Sequence, residues 1–271
     1  MQLIKTPTKG MNDYLPRETR LREYVKGVII RAYEKNGFSM IETPAVEHIE
    51  NLTGKNGGDN EKLIFKIMKR GEKLNEAAGN DAELCDSGLR YDLTVPLSRY
   101  YANNQAKLPS PFMAMQIGNV WRADRPQKGR FRQFTQCDID ILGDSTQLAE
   151  ITLISATTGV LRELGFDNFT VRINDRRLLK VCADYCGFKP EDCDKVFITL
   201  DKMDKIGLDG VKRELVEEGF DEASVEKYVA LYENCDAVSV SEFAADRLGG
   251  NGADIAASLE SIMRCATAAT A

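Results

Sequence analysis

The apolar residues of this chain follow a helical period in two stretches. They recur every three or four positions, which is the spacing of an amphipathic helix with one buried face. The first stretch ends just before Gly37, and the second begins behind Asp144 and Ser145, two residue types that favour helix starts. We predict two long helices with core-facing stripes made of Leu21, Tyr24, Val25, Val28 and Ala32 in the first and Leu148, Ile151, Ile154, Thr158 and Leu161 in the second.

Short apolar segments between these helices predict β-strands. They lie around Ile41 and at residues 64–68, 113–122 and 131–142. Because hairpins or loops join most of them, we expect an α+β fold in which an antiparallel sheet is flanked by helices. Beyond Asn174 the pattern changes to short charged helices, so we predict one domain over residues 1–174 and a smaller, mainly helical domain over residues 175–271.

The last two predicted strands form a hairpin, because Pro126 and Gly129 bend the chain between them. In the second strand of this hairpin, successive side chains point to opposite faces. One face is apolar, and the other is a polar row with one aromatic ring: Arg132, Phe134, Gln136, Asp138 and Asp140. Such a row suits a planar base stacked on the ring and an ammonium or imidazole held by the amide and a carboxylate. A solvated strand face is the alternative interpretation.

Five cations lie within eleven residues around this hairpin loop, with Asp124 as their nearby counter-charge, although the whole chain carries a net charge of −6. A basic cluster in an acidic protein indicates a specific phosphate or carboxylate ligand rather than general electrostatic attraction. The cluster consists of Arg122, Arg125, Lys128, Arg130 and Arg132.

This hairpin sequence resembles motif 2 of the class II aminoacyl-tRNA synthetases in its histidyl-tRNA synthetase form. The matching residues are Arg122, the turn Arg125-Pro126-Gln127, the run from Gly129 to Phe134, and Gln136 with Asp140. A second segment, LRYDLTVPLSRY at residues 89–100, resembles the stretch of that family that holds the substrate amino group. A weaker third match, GFSMIETP at residues 37–44, resembles motif 1.

The resemblance implies a class II fold that activates L-histidine with ATP and transfers it to tRNA(His). Arg122 would be the catalytic clamp between the histidine carboxylate and the α-phosphate. The histidine-binding residues would be Asp92, Thr94, Gln136 and Asp140, and the ATP-binding residues would be Arg122, Arg125, Arg130 and Phe134. Mg²⁺ would accompany ATP, but no ligand spacing identifies protein ligands for it. Pro44 would lie at the interface of a homodimer.

The resemblance is incomplete. The histidine-specific arginine and tyrosine motif, motif 3 and the anticodon-binding domain are not found, so we expect a partial catalytic region that is inactive alone. Tyr91-Asp92-Leu93 also stands where Pro-Glu-Gly is frequent, and Asp140 where Glu is frequent, which keeps both carboxylates.

Two other functions remain possible from the sequence. One is a non-catalytic, histidine-binding regulatory subunit of ATP phosphoribosyltransferase, a relative in which the ATP-binding residues are usually degraded. The other is an adenylate-forming paralogue that acts on another amino acid or carrier.

Composition narrows the remaining chemistry. Seven cysteines without a CxxC pair favour reduced core thiols over disulfides or a metal cluster. His48 is the sole histidine, which argues against histidine-based catalysis. With no apolar leader and no stretch of membrane-spanning length, we expect a cytoplasmic protein. The glycine-rich loop at residues 53–60 lacks the Lys-Ser/Thr ending of a P-loop, and we predict a mobile loop near the substrate.

Overall fold

The computed structural model of the protein describes residues 3–53, 59–80, 83–233, 235 and 238–270. Most of the glycine-rich loop, at residues 54–58, lies outside the described residues. The chain forms two compact units, Met1–Asp167 and Asn168–Ala271. The sequence placed a domain boundary near Asn174, a few residues further along the chain.

The first unit contains two three-stranded sheets. One has the order β1 (Ser39–Met40), β5 (Phe112–Trp121), β6 (Gln133–Leu142), and the other has the order β2 (Val46–His48), β4 (Cys85–Leu89), β3 (Lys66–Met68). All neighbours are antiparallel except β1 and β5, which run parallel. The predicted α+β fold with mainly antiparallel strands is confirmed, and the strands divide between these two sheets. Strands β2 and β4 escaped prediction because they are short and β4 contains Asp86, Ser87 and Gly88 instead of alternating apolar residues.

The predicted hairpin is confirmed. Strands β5 and β6 pair without a bulge from Phe112 opposite Leu142 to Trp121 opposite Gln133. In the loop, Gln127 and Arg130 form a bridge around Gly129, whose positive φ of 78° favours glycine. Strand β6 begins two residues later than predicted, because the backbone N–H of Arg132 donates to the carbonyl oxygen of Gly10 at 2.7 Å instead of continuing the ladder.

Helices α1 (Pro16–Lys35) and α5 (Leu148–Glu163) cover one face of this hairpin. The stripes predicted for these helices were partly wrong, since Leu21, Tyr24 and Leu148 are 64%, 63% and 64% exposed. The buried residues of α1 lie in its second half. Helix α5 packs through Leu153, Ala156 and Val160, which lie on a different side of the helix from most of the predicted stripe. The core cluster is formed by Ile29, Ala32, Tyr33, Phe38, Met115, Ala156 and Val160, with Leu153, Leu164, Cys137, Ile139 and Ile141 packed against it.

Short helical elements complete the first unit: α2 (Ile49–Thr53), a 3-10 turn (Asp59–Leu63), α3 (Glu72–Glu76), α4 (Thr94–Asn104) and a second 3-10 turn (Gln105–Lys107). Among these, α4 matters most for the site. Its Leu97, Tyr100 and Tyr101 pack with Phe112 and Ala114 at the start of β5. This packing fixes the beginning of α4 near the polar face of the hairpin.

Every described element of the second unit is helical. The elements are α6 (Arg176–Cys186), a 3-10 turn (Pro190–Asp192), α7 (Cys193–Leu200), α8 (Met203–Glu217), α9 (Glu222–Tyr232), α10 (Val240–Arg247) and α11 (Ala253–Thr270). Tyr228 and Leu215 are fully buried in its core. Cys182, Cys186 and Cys193 are buried there as free thiols, as predicted. No described helix in either unit has the length and apolar character needed to cross a membrane.

Candidate active site

The polar row on β6 lies on the hairpin face opposite α1 and α5. Cys137, Ile139 and Ile141 pack into the helix-covered cluster, so the alternating residues point the other way. These are Phe134, Gln136, Asp138 and Asp140, which confirms the predicted alternation. Directly opposite them on β5 lie Val120, Gly118, Gln116 and Ala114. The space beside Gly118 is filled by the guanidinium of Arg90, and Ala114 is buried in the cluster with Leu97 and Phe112.

Arg122 follows β5 and reaches this face. Its Nε–H donates to the carbonyl oxygen of Tyr91 at 3.0 Å, and its Cζ lies 5.1 Å from the ring centroid of Phe134. No described residue hydrogen-bonds to its two terminal nitrogens, so the outer edge of the guanidinium remains available for a ligand. The carbonyl of Tyr91 and the ring of Phe134 therefore fix the position of the Arg122 guanidinium.

Three carboxylates share this face. Burial raises the pKa of Asp138 to about 6, aided by the negative charges of Asp140 and Asp92 and opposed by Arg122. Burial also raises the pKa of Asp140, again with a contribution from Asp92. No described group donates a hydrogen bond to the side chain of Asp138 or Asp140. Carboxylates kept half-buried without donors are suited to a ligand that brings positive charge or N–H groups.

The segment before α4 supplies the third carboxylate. Oδ1 of Asp92 accepts a hydrogen bond from the backbone N–H of Val95 at 3.0 Å, which ties the carboxylate to the first turn of the helix. Thr94 is the first residue of α4 and is exposed. A single helix start therefore carries both residues that the sequence assigned to the histidine amino group.

Gln136 lies between Phe134 and Asp138 in the row. Its Oε1 is buried and has no hydrogen-bond partner among the residues that the structure describes. A buried, unpaired carbonyl oxygen costs stability unless something donates to it. An N–H group of a ligand would satisfy this oxygen.

Arg125 and Arg130, the loop cations predicted to bind ATP, lie on the hairpin loop and not on the polar face of the hairpin. Arg130 pairs with Asp124 through Nη2 and Oδ2 at 2.8 Å, and Arg132 donates from Nε to the carbonyl oxygen of Asp124 at 3.0 Å. Arg125 is exposed and forms no hydrogen bond or ion pair with the described residues. The structure thus gathers Arg122, Phe134 and the acidic residues on one face but leaves Arg125 and Arg130 out on the loop.

Sequence reasoning placed Asp138 in the polar row but gave neither Asp138 nor Arg90 a role in the site. Asp138 has the same period-two position as Gln136 and Asp140, which was a sufficient signal. Arg90 directly precedes Tyr91 and is only 7% exposed, but nothing in its sequence context marks it as buried. Its contacts are described below.

Metal-binding residues do not converge on this site. Within the described ranges, no group of three or more His, Cys, Asp or Glu side chains could hold a metal ion. The residues present therefore identify no protein-held Mg²⁺.

The fold is that of the class II aminoacyl-tRNA synthetases. The structure resembles the crystal structure of histidyl-tRNA synthetase from Nostoc sp. PCC 7120, with a TM-score of 0.81 and 27% identity over 99% of this chain and 59% of that one. It also resembles a structure from Bacillus halodurans described as an ATP phosphoribosyltransferase regulatory subunit/histidyl-tRNA synthetase, with a TM-score of 0.77 and 17% identity over 99% of this chain and 66% of that one. At 17% identity, the second likeness shows the fold alone.

Residues 10–270 match the histidyl-tRNA synthetase family, and the chain belongs to this family. It is 49% identical over 224 residues to the histidine–tRNA ligase of Leifsonia xyli, covering 81% of this chain and 52% of that protein. It is 38% identical over 252 residues to the histidine–tRNA ligase of Flavobacterium johnsoniae, covering 83% and 53%. The chain therefore spans about half the length of these curated relatives.

Proposed function

We propose that this chain carries the amino-acid and ATP sites of a histidine–tRNA ligase and forms part of the catalytic region that makes histidyl-adenylate. The observation that carries the proposal is the placement of Arg122. Its anchored guanidinium lies against the Phe134 ring, and its charge acts on Asp138 in the acidic row. Family membership and the names of the relatives support the same conclusion.

In the proposed reaction, a carboxylate oxygen of L-histidine attacks the α-phosphorus of ATP. A new O–P bond forms, the bond to the bridging oxygen breaks, and pyrophosphate leaves with the electron pair. The nucleophile is already ionised, so no general base is required. The protein contributes position and charge neutralisation.

Arg122 would bridge the two reacting groups. Its terminal nitrogens can donate to the histidine carboxylate and to an α-phosphate oxygen while Nε stays bonded to Tyr91. Phe134 would stack under the adenine. Arg125 and Arg130 would reach the phosphates, and for Arg130 this requires exchanging Asp124 for a phosphate oxygen.

The acidic residues would select histidine. Asp92 and Thr94 would take the α-ammonium, and Gln136 and Asp140 would bond the amino group and the imidazole. A site built around such bonds rejects analogues that lack the donor groups. Mg²⁺ would arrive with ATP, and we assign it no protein ligand.

The wider role in translation is also a proposal. The complete activity would transfer histidine from the adenylate to tRNA(His) in the cytoplasm. The second, helical unit would correspond to the insertion domain of the family. A homodimer would form through α1 and the segment containing Pro44, where Leu21, Tyr24, Pro44 and Val46 present exposed apolar groups.

Two measurements on this chain test the proposal: calorimetric titration with L-histidine and with ATP, and histidine-dependent ATP–pyrophosphate exchange. Binding of both ligands without exchange is the expected result for a partial catalytic region that is inactive alone, and exchange in addition would show that the chain itself is active. Binding of histidine with neither ATP binding nor exchange would favour the regulatory-subunit alternative. Failure to bind histidine would contradict both functions.

A further inference from the structure

Arg90 is a buried cation without an ion-pair partner among the described residues. Its Nη1 donates to the carbonyl oxygen of Thr43 at 2.6 Å and to Oγ1 of Thr43 at 3.2 Å, and its Nε donates to the carbonyl oxygen of Asn119 at 3.0 Å. A fourth, longer contact of 3.4 Å runs from Nη1 to the carbonyl oxygen of Pro44. All these acceptors are neutral, and Glu42 acts on the charge only through space.

A buried cation with only neutral partners destabilises the fold. Burying a guanidinium with neutral partners costs free energy that a smaller or apolar side chain would not require. The chain also makes room for it at Gly118 in β5. A Cβ atom at this position would lie 2.3 Å from Nη2 of Arg90, so any side chain here would displace the guanidinium.

The backbone of Arg90 connects the same elements. Its N–H donates to the carbonyl oxygen of Ala45 at 2.9 Å, and its carbonyl oxygen accepts from the N–H of Trp121 at 3.0 Å. Arg90 therefore joins the segment at residues 43–45 to the end of β5 through its side chain and its backbone. The next residue, Tyr91, supplies the carbonyl that anchors Arg122, and Asp92 follows directly.

Together, these contacts connect Arg90, through the backbone of Tyr91, to Arg122 and Asp92 in the proposed amino-acid site. We propose that Arg90 is a positioning residue, seated on Gly118, that fixes the Asp92 carboxylate relative to Arg122 for recognition of the α-amino acid. This role rests on the proposed function, because it concerns the same site. Arg90 itself does not touch the substrate.

The test measures L-histidine affinity by calorimetry for the wild-type chain and for Arg90→Lys, Asp92→Asn and the double variant. Arg247→Lys is the matched control, because it makes the same substitution at an arginine of the second unit whose Nη1 donates to the carbonyl oxygens of Leu231 and Glu233. We expect Arg90→Lys to weaken histidine binding roughly tenfold to hundredfold, because a displaced Asp92 would lose a hydrogen bond between charged groups. Arg247→Lys should bind like the wild type.

The double variant separates positioning from general support of the fold. If Arg90 acts through Asp92, the double variant should bind no more than about twofold more weakly than Asp92→Asn alone. Additive losses would overturn the proposal, as would wild-type affinity in Arg90→Lys. Gly118→Ala provides a second route, because it displaces the guanidinium without removing its charge, and it should show the same dependence on Asp92.

The outcome also distinguishes this inference from the proposed function. A wild-type chain that does not bind histidine would refute the proposed function, and the role of Arg90 would fall with it. A wild-type chain that binds histidine while Arg90→Lys behaves like Arg247→Lys would refute only the role of Arg90.

Discussion

Nε of Arg122 donates a hydrogen bond to the carbonyl oxygen of Tyr91 at 3.0 Å, across 31 positions of the sequence. This bond joins the end of strand β5 to the segment that carries Asp92. The cation and the carboxylate proposed to hold opposite ends of an amino acid are therefore fixed to each other.

Replacing Arg122 with lysine should weaken the binding of L-histidine and of ATP about tenfold to a hundredfold, which corresponds to losing one hydrogen bond to a charged group. An ammonium cannot keep the bond to Tyr91 and also present a planar fork to two groups. The comparison is Arg162→Lys, a change at an exposed arginine of α5. Calorimetric affinities within about threefold of wild type in Arg122→Lys would exclude the proposed clamp.

Replacing Asp138 with asparagine should stabilise the first unit at alkaline pH. In the folded chain the pKa of Asp138 is raised to about 6 from an ordinary value of 3.8, so folding favours the protonated form. Below pH 3.8 the Asp138 carboxyl does not change the free energy of unfolding. As the pH rises from 3.8 to about 6, its ionisation lowers the free energy of unfolding progressively. At pH 8 the variant should gain on the order of 1 kcal/mol.

Trp121 is the sole tryptophan and belongs to the first unit, so its fluorescence reports unfolding of that unit in urea. The difference between Asp138→Asn and wild type should stay constant from pH 8 to about pH 6 and then shrink as the pH falls to 4. A difference that is independent of pH would mean that the charge of Asp138 is not the cause.

Replacing Gly10 with alanine should loosen the hairpin loop. Gly10 has a φ of 84°, and a Cβ atom there would lie 2.8 Å from Cγ of Arg132 and from Cγ of Pro126. Gly165→Ala is a close control, because Gly165 has a φ of 85° and nothing within 4 Å of its added Cβ. Both variants carry backbone strain, but only Gly10→Ala adds a clash.

In urea unfolding followed by Trp121 fluorescence, we expect Gly10→Ala to lose about 1–2 kcal/mol more than Gly165→Ala. ATP affinity should also fall in Gly10→Ala alone, because Arg132 and the loop around it would move. Equal losses in the two variants would show that the neighbouring side chains adjust without cost.

Replacing Leu21 with glutamate should convert the proposed homodimer to a monomer. Leu21 is 64% exposed on α1, the helix proposed to form the interface together with the Pro44 segment, and a buried unpaired carboxylate would oppose association. Leu148→Glu is the matched control at equal exposure on α5. Sedimentation equilibrium should give a dimer for wild type and Leu148→Glu and a monomer for Leu21→Glu, whereas a monomeric wild type would refute the dimer.

Much of the hairpin could be read from local sequence. Its strands alternate in polarity, its turn contains a glycine, and the pairing register follows from both, so Phe134, Gln136 and Asp140 were placed on one face before the structure. The same rule also covered Asp138. The helix stripes were less reliable, because periodicity shows that a helix has an apolar face but not how much of that face another element covers. Leu21 and Leu148 illustrate this limit.

The sequence by itself determined the family resemblance, the hairpin and the residue types of the site, because these depend on neighbours within a few positions. Only the tertiary structure showed that Arg122 is anchored to Tyr91, that Arg130 is engaged by Asp124, and that Arg90 is buried over Gly118. These relationships depend on which distant segments pack together. A local pattern contains no information about a hydrogen bond to a backbone carbonyl some 30 or 50 residues away, since every residue offers the same carbonyl and only the fold selects one.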